Sequence, residues 1–227
     1  MTTTTALFPI RNDGQEWEEY FAELEATAQN AIGPKPEIAK GEEITFKERF
    51  DAYYPLLNAW ERSKAKHYAP IVKAIVTSII QTLSVKPIIQ ISVSYSGSGD
   101  SGEIDSYEVE FADDEKRRNA ARELWTEAYA RTDDRNHDDC LAARKIQNSV
   151  YSDQQDFVKA NQYVFDQLGE YCWMLAYSEH PGFEISDGCA DGANGEFIFK
   201  LNDEGEVVLT GEHRQHYIQT EESFYEF

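Results

Sequence analysis

Cysteine is scarce in this 227-residue chain: Cys140, Cys172 and Cys189 are the only three, odd in number and widely spaced. No CxxC pair exists, which argues against a structural zinc site and fits reduced thiols. Cys172 lies in a helix-like aromatic stretch and is expected in the core. Long apolar runs are also missing. The best one, Ile71 to Ile91, is broken by Lys73, Lys86 and Pro87, so no membrane span is predicted. The opening MTTTTALFPIRNDG has neither the basic end nor the apolar block of a signal peptide, and the cytosol is the expected compartment. Basic residues are few, 21 Lys and Arg against 42 Asp and Glu, for a formal charge of −21. Such a surface repels phosphates, so neither nucleic acid nor an anionic membrane is an expected direct partner. A basic protein surface would be attracted quickly.

The acid is not spread evenly. Residues 88–115 hold Asp100, Glu103, Asp105, Glu108, Glu110, Asp113, Asp114 and Glu115 with no Lys or Arg. Residues 179–227 hold twelve acids against Lys200 and Arg214. Together the two segments carry −18 of the −21, and the other 150 residues sum to −3. General solubility or a salt-adapted proteome would also produce an acidic chain, but the latter should load the helices as well. With 41% hydrophobic and 13% aromatic residues the chain is globular and long enough to bury a core.

Periodicity gives an α+β reading. Asp13 with Glu16 resembles a capping box for a helix to about Asn30, with Trp17, Phe21 and Leu24 on one face. Thr45 with Glu48 opens a second helix, interrupted or kinked at Pro55, and Pro70 is expected to start another over 71–83. Ile89, Ile91, Val93 and Tyr95 alternate with polar residues, a glycine-rich turn covers Ser96 to Gly102, and Tyr107, Val109 and Phe111 return. Asp113 or Asp114 caps a helix to about Ala130. A weaker helix covers 140–150, and Ser152 with Gln155 opens a long aromatic helix to Tyr177. Phe183 to Ile185, then Phe197, Phe199 and Leu201, a turn at 202–205, and Val207 to Leu209 read as further strands, before an aromatic and acidic tail over 216–227. The expected fold is a small antiparallel sheet from two distant segments, packed with several helices. An N-terminal helical region spans 1–87, and an α+β region spans 88–227 with a helical excursion over 113–178.

The chemistry-bearing patterns are weak. Gly99-Asp100-Ser101-Gly102 echoes the nucleophile segment of trypsin-like proteases, but the all-β pattern and a suitable histidine context are absent. A hairpin turn in which Asp100 and the serines bond their own backbone explains it better. As a phosphate nest the loop lacks the Lys-Ser/Thr ending of a P-loop, and its own acids would repel an anion. A divalent cation suits it electrostatically: Asp100, Glu103 and Asp105 meeting Asp187, Asp191 or Glu196 would offer oxygen ligands, though without EF-hand spacing. Five histidines, His67, His137, His180, His213 and His216, include no HxH or HExxH pattern. General acid–base work by His180 or His213 has no supporting pattern, and His180 suits a helix C-terminus. Lys116, Arg117, Arg118 and Arg122 are expected to form internal ion pairs.

Ser94-Tyr95-Ser96-Gly97-Ser98-Gly99-Asp100-Ser101-Gly102-Glu103-Ile104 resembles the strand–turn–strand motif of a family of uncharacterised small acidic proteins from bacterial plasmids, phages and their hosts. His180-Pro181-Gly182-Phe183-Glu184-Ile185, then Asp187-Gly188 and Gly195-Glu196-Phe197, is similar to that family's HPGWEI–DG–GEF block. Glu222-Ser223-Phe224 and Glu226-Phe227 resemble its ending. The likeness covers about 80 residues in two blocks. The chain departs from it in the helices before residue 88, in a longer excursion between Asp113 and Ser178, and in Phe183 where tryptophan is common. The resemblance implies a mobile-element setting, in which small acidic proteins inhibit host defence enzymes, anti-CRISPR proteins among them, sometimes by imitating DNA.

The expected function is therefore a non-enzymatic acidic binding protein without a cofactor. Its acidic face would dock on a basic groove such as the nucleic-acid channel of a defence complex. Glu108, Glu110, Asp113, Asp114 and Glu115 would serve as phosphate surrogates, joined by Glu204, Glu206 and Glu212. The alternative is a metal-dependent enzyme or metal-binding protein using Asp100, Glu103, Asp105, Asp187 and Glu196. A helical adaptor assembling through 153–178 is a third reading, against which a buried core helix is favoured.

Overall fold

The structure, a computed structural model, describes residues 8–32, 34–36, 46–98, 101–179 and 190–217. In chain order its elements are α1 (Trp17–Ile32), α2 (Phe46–Thr82), β1 (Ile88–Ser98), β2 (Ser101–Phe111), α3 (Asp114–Thr132), α4 (Asp138–Ala160), α5 (Gln162–Glu179), β3 (Ala190–Leu201) and β4 (Val207–Tyr217). The strands form one antiparallel sheet in the order β2-β1-β3-β4. Two hairpins distant in sequence meet where β1 pairs with β3, so the fold is α+β as expected. No described helix is long and apolar enough to cross a membrane.

The sheet has one apolar face. Ile91, Val93 and Tyr95 of β1 stand beside Tyr107 and Val109 of β2 and Phe197 and Phe199 of β3. Against them lie α2, through Ile71, Val72, Ile75, Val76 and Ile79, and α5, through Phe165, Leu168, Cys172 and Leu175. Tyr20, Phe21 and Leu24 of α1 complete the same core, which runs from Phe8 to Val207. The N-terminal helices and the sheet therefore bury one common set of side chains. Burial of the Cys172 thiol pushes its pKa up, in keeping with an inert core residue.

Several local expectations need correction. The first helix begins at Trp17 rather than at Asp13, because Asp13 and Gly14 form a turn in which Gly14 has φ +80°. Pro70 does not start a helix: α2 continues through both Pro55 and Pro70. Each interior proline costs about 3 kcal/mol. The five aliphatic side chains after Pro70 are 0% exposed, and each contributes about 1.5–3 kcal/mol on full burial, so tertiary packing outweighs the break. Ser152 does not open the aromatic helix either. The chain stays helical through it and breaks at Asn161, whose carbonyl accepts the Val164 and Phe165 N–H groups and whose side-chain amide donates to Phe157. His137 caps α4, its Nδ1 accepting from the Asp139 N–H.

The hairpin strands are longer than their hydrophobic runs. Ser96, Gly97, Ser101 and Gly102, expected in a turn, belong to β1 and β2. A register shift between Ile88 and Gln90 turns Ile88 inward, 1% exposed, and leaves Ile89 outside. Gly99, Asp100 and the expected strand at 183–185 lie outside the described residues, as do His180, Asp187, Cys189 and the tail beyond Tyr217.

Candidate functional site

The second face of the sheet is polar and is built by the alternation that buries the first. Across its middle run Glu108, Ser92, Ile198 and Thr210, and beside them Ser106, Ser94, Glu196 and Glu212. Toward the sheet end near Phe111 the row is Glu110, Gln90, Lys200 and Val208. Most of these side chains are exposed or half-buried. Ser92, in a central strand, is buried and accepts from the Gln90 amide.

A bulge adds a further acid. Between Ser94 and Tyr95 the β1–β2 register shifts, leaving Asp105 without a direct partner. The Ser96 hydroxyl donates to Asp105 Oδ1 at 2.7 Å. A bulge re-aims a side chain in this way, and here Asp105 joins Ser94, Asn194, Glu196, Glu212 and Arg214 around an open depression of about 230 Å³. Glu212 and Arg214 form a salt bridge at 2.7 Å on the exposed surface, which screens part of the charge. Glu196 stands directly opposite Glu212 in the β3–β4 ladder. Like charges in that position are destabilising by a few tenths of a kcal/mol to about 1 kcal/mol.

The predicted partner-binding residues do not form one patch. Glu108 is exposed on the polar face, and Glu212 shares it. Glu110 points the same way, but Arg118 of α3 pairs with it. Asp114 is a correction: it is 0% exposed and cannot serve as a surface phosphate surrogate. Its Oδ2 accepts from the Phe111 N–H at 3.0 Å and from Gln154 Nε2 at 2.7 Å, and Arg117 stands 3.5 Å from Oδ1. It secures the turn from β2 into α3. Asp113 and Glu115 are exposed beside it. Glu204 and Glu206 are exposed on the β3–β4 turn, whose shape is set by Asn202 Oδ1 accepting from both of their N–H groups. That turn adjoins β4 whereas Asp113 and Glu115 adjoin β2, three strand spacings or about 14 Å across the sheet.

Within the basic run at the start of α3, Arg117 and Arg118 form internal ion pairs as expected, whereas Lys116 and Arg122 are exposed. Asp153 of α4 accepts from Arg117 at 2.9 Å and from Lys86 at 2.8 Å. These two bonds, that from Lys86 first, hold the Asp153 carboxyl below its usual pKa. The charge cluster ties α3, α4 and the segment leading into β1.

Of the alternative ligand set, Asp105 and Glu196 reach the same depression, and Glu103 lies exposed on β2. Asp100 and Asp187 are outside the described residues, and Asp191 is placed in β3 by its backbone alone. Among the described residues no three His, Cys, Asp or Glu side chains are grouped so as to hold a metal ion. His213 is on the apolar side, its Nδ1 3.0 Å from the Tyr95 hydroxyl. The Tyr95 pKa is raised to about 12, first by burial. This is a packed aromatic pair within the fold rather than an exposed acid–base centre.

Sequence reasoning missed Asp105 as a member of the face, and Asn194 and Arg214 as its neighbours. Alternation from Tyr107 and Val109 alone would place Asp105 inward; only the bulge reverses it, and no residue type announces that bulge. No family model, no curated protein and no solved structure matches the chain.

Proposed function

We propose that the chain is a non-enzymatic acidic binding protein that docks the polar face of its sheet on a basic surface of another protein. One observation carries the reading: Asp105, Glu108, Glu196 and Glu212 come from β2, β3 and β4 onto one face, and of these Glu196 faces Glu212 at a cost in stability. Alternate residues along a strand are about 7 Å apart and neighbouring strands about 4.8 Å apart. Carboxylates on that lattice approximate rows of phosphates. A nucleic-acid-binding groove, such as that of a host defence complex, is the partner chemistry such rows would fit. The resemblance to small acidic proteins of plasmids and phages agrees with an inhibitor acting as a DNA mimic in the bacterial cytoplasm.

The attraction is long-ranged and screened by salt. The test is capture of partners from a bacterial lysate on the immobilised chain at low and at high salt, repeated with Glu108→Lys and Glu196→Lys together. Partners held at low salt by the natural chain and lost by the variant support the reading. Identical capture by both at low salt overturns it.

A further inference from the structure

The sheet ends on two edge strands, β2 and β4. Proteins protect such edges with a bulge, a proline, a lysine or a covering element. β2 has two of these, the bulge at Asp105 and α4 packed against it. β4 has none of the first three. Its sequence, VVLTGEHRQHY, holds neither proline nor lysine, and its ladder with β3 is unbroken from Val207 to Gln215. Among the described residues no strand other than β3 pairs with it. Val207 and Leu209 pack into the core beneath the sheet, whereas Gly211, in mid-strand, is exposed. Glycine has no side chain, so what solvent reaches at that position is the backbone.

We infer that β4 pairs antiparallel with β4 of a second copy of this chain, about a two-fold axis at His213, so that two sheets join into one of eight strands. The charge on the strand selects this register. Glu212 and Arg214 are exposed on the polar face and are the only acid and the only Lys or Arg in β4. Two identical antiparallel strands must set one residue opposite its own copy, because successive residues turn their N–H and C=O groups to opposite edges. An axis at 212 would oppose Glu212 to itself, and one at 214 would oppose Arg214 to itself. An axis at 211 would leave them facing uncharged Thr210 and Val208. At His213, Glu212 faces Arg214 of the second copy, and symmetry makes the pair twice. The formal charge of −21 on each copy opposes association, but Glu212 and Arg214 cancel within β4. Glu206, on the adjoining turn, is seven positions from His213, about 24 Å along the strand and beyond a Debye length of about 8 Å. The pairing concerns the sheet edge, so it stands or falls separately from the partner of the polar face.

The experiment is sedimentation velocity of the full chain from about 1 μM to about 1 mM, in about 0.15 M salt. The sedimentation coefficient should rise with concentration toward that of a dimer. Arg214→Glu should weaken dimerisation about tenfold, because two cross-strand attractions become repulsions. Glu212→Arg together with Arg214→Glu restores both pairs with their signs exchanged, and should return dimerisation to within about threefold of the natural chain. Both side chains are exposed, so the fold should survive these changes. A chain still monomeric at the highest concentration would overturn the inference. So would a dimer indifferent to Arg214→Glu, which would place the contact elsewhere, or a failure of the exchanged variant to recover, which would refute the register.

Discussion

Glu196 and Glu212 stand directly opposite one another on β3 and β4, and among the described residues Arg214 bridges to Glu212 and not to Glu196. A sheet optimised for stability would place a neutral or basic residue at one of these positions. Glu196→Gln should therefore raise the unfolding free energy by a few tenths of a kcal/mol to about 1 kcal/mol. Urea unfolding at low salt would measure it, and the gain should shrink as salt is added. A loss of stability would show that Glu196 is held by favourable contacts instead.

Asp114 is the acid whose role differs most from expectation. Its exposed neighbours Asp113 and Glu115 are free to change, but Asp114→Ala removes the acceptor of both the Phe111 N–H and the Gln154 amide. The cost of leaving buried donors unpaired is about 1–3 kcal/mol. Denaturant midpoints should fall accordingly for Asp114→Ala and stay nearly constant for Glu115→Ala.

Gly195 is required by packing. An added Cβ would lie 2.3 Å from the Tyr95 hydroxyl and 2.5 Å from the Glu212 carbonyl oxygen. The backbone contact cannot swing aside as a side chain would. Gly195→Ala should cost about 1–3 kcal/mol, read from thermal or denaturant unfolding. A neutral effect would mean that β3 and β4 can separate locally without penalty.

The α3–α4 attachment should respond to acid. Asp153 has its folded pKa lowered by Lys86 and Arg117. Such a carboxylate adds stability above its unfolded pKa, about 3.9, and the contribution disappears as pH falls through the folded value. Asp153 is partly exposed, with 38% of its side chain accessible, so solvent screening limits the effect to under about 1 kcal/mol. Asp153→Asn should be slightly less stable than the natural chain near neutral pH, with the difference closing at acid pH. A gap that persists in acid would assign the effect to packing rather than charge.

The sheet was legible in the sequence because its hydrophobic alternation is regular: Ile91, Val93 and Tyr95 and then Phe197 and Phe199 carry the core face in both readings. Its charge distribution was legible for the same reason, since Glu108 alternates with buried Val109. What sequence concealed depends on long-range contact. Pro70 looks like a helix start until Ile71, Val72 and Ile75 are seen buried, and Ser152 looks like a cap until Asn161 is seen closing α4. Asp114 and Asp113 are indistinguishable locally, and only packing against Gln154 separates them.

We propose that a defined face, not the total charge, binds a basic partner. Two double variants separate these directly. Glu108→Lys with Glu196→Lys reverses charge on the polar sheet face, whereas Glu123→Lys with Glu127→Lys makes the same change in net charge on exposed positions of α3. The deciding measurement is quantitative mass spectrometry of proteins captured from a bacterial lysate at low and high salt. Salt-sensitive partners should be kept by the α3 variant and lost by the sheet-face variant. Equal loss in both variants, or equal retention in both, would contradict it.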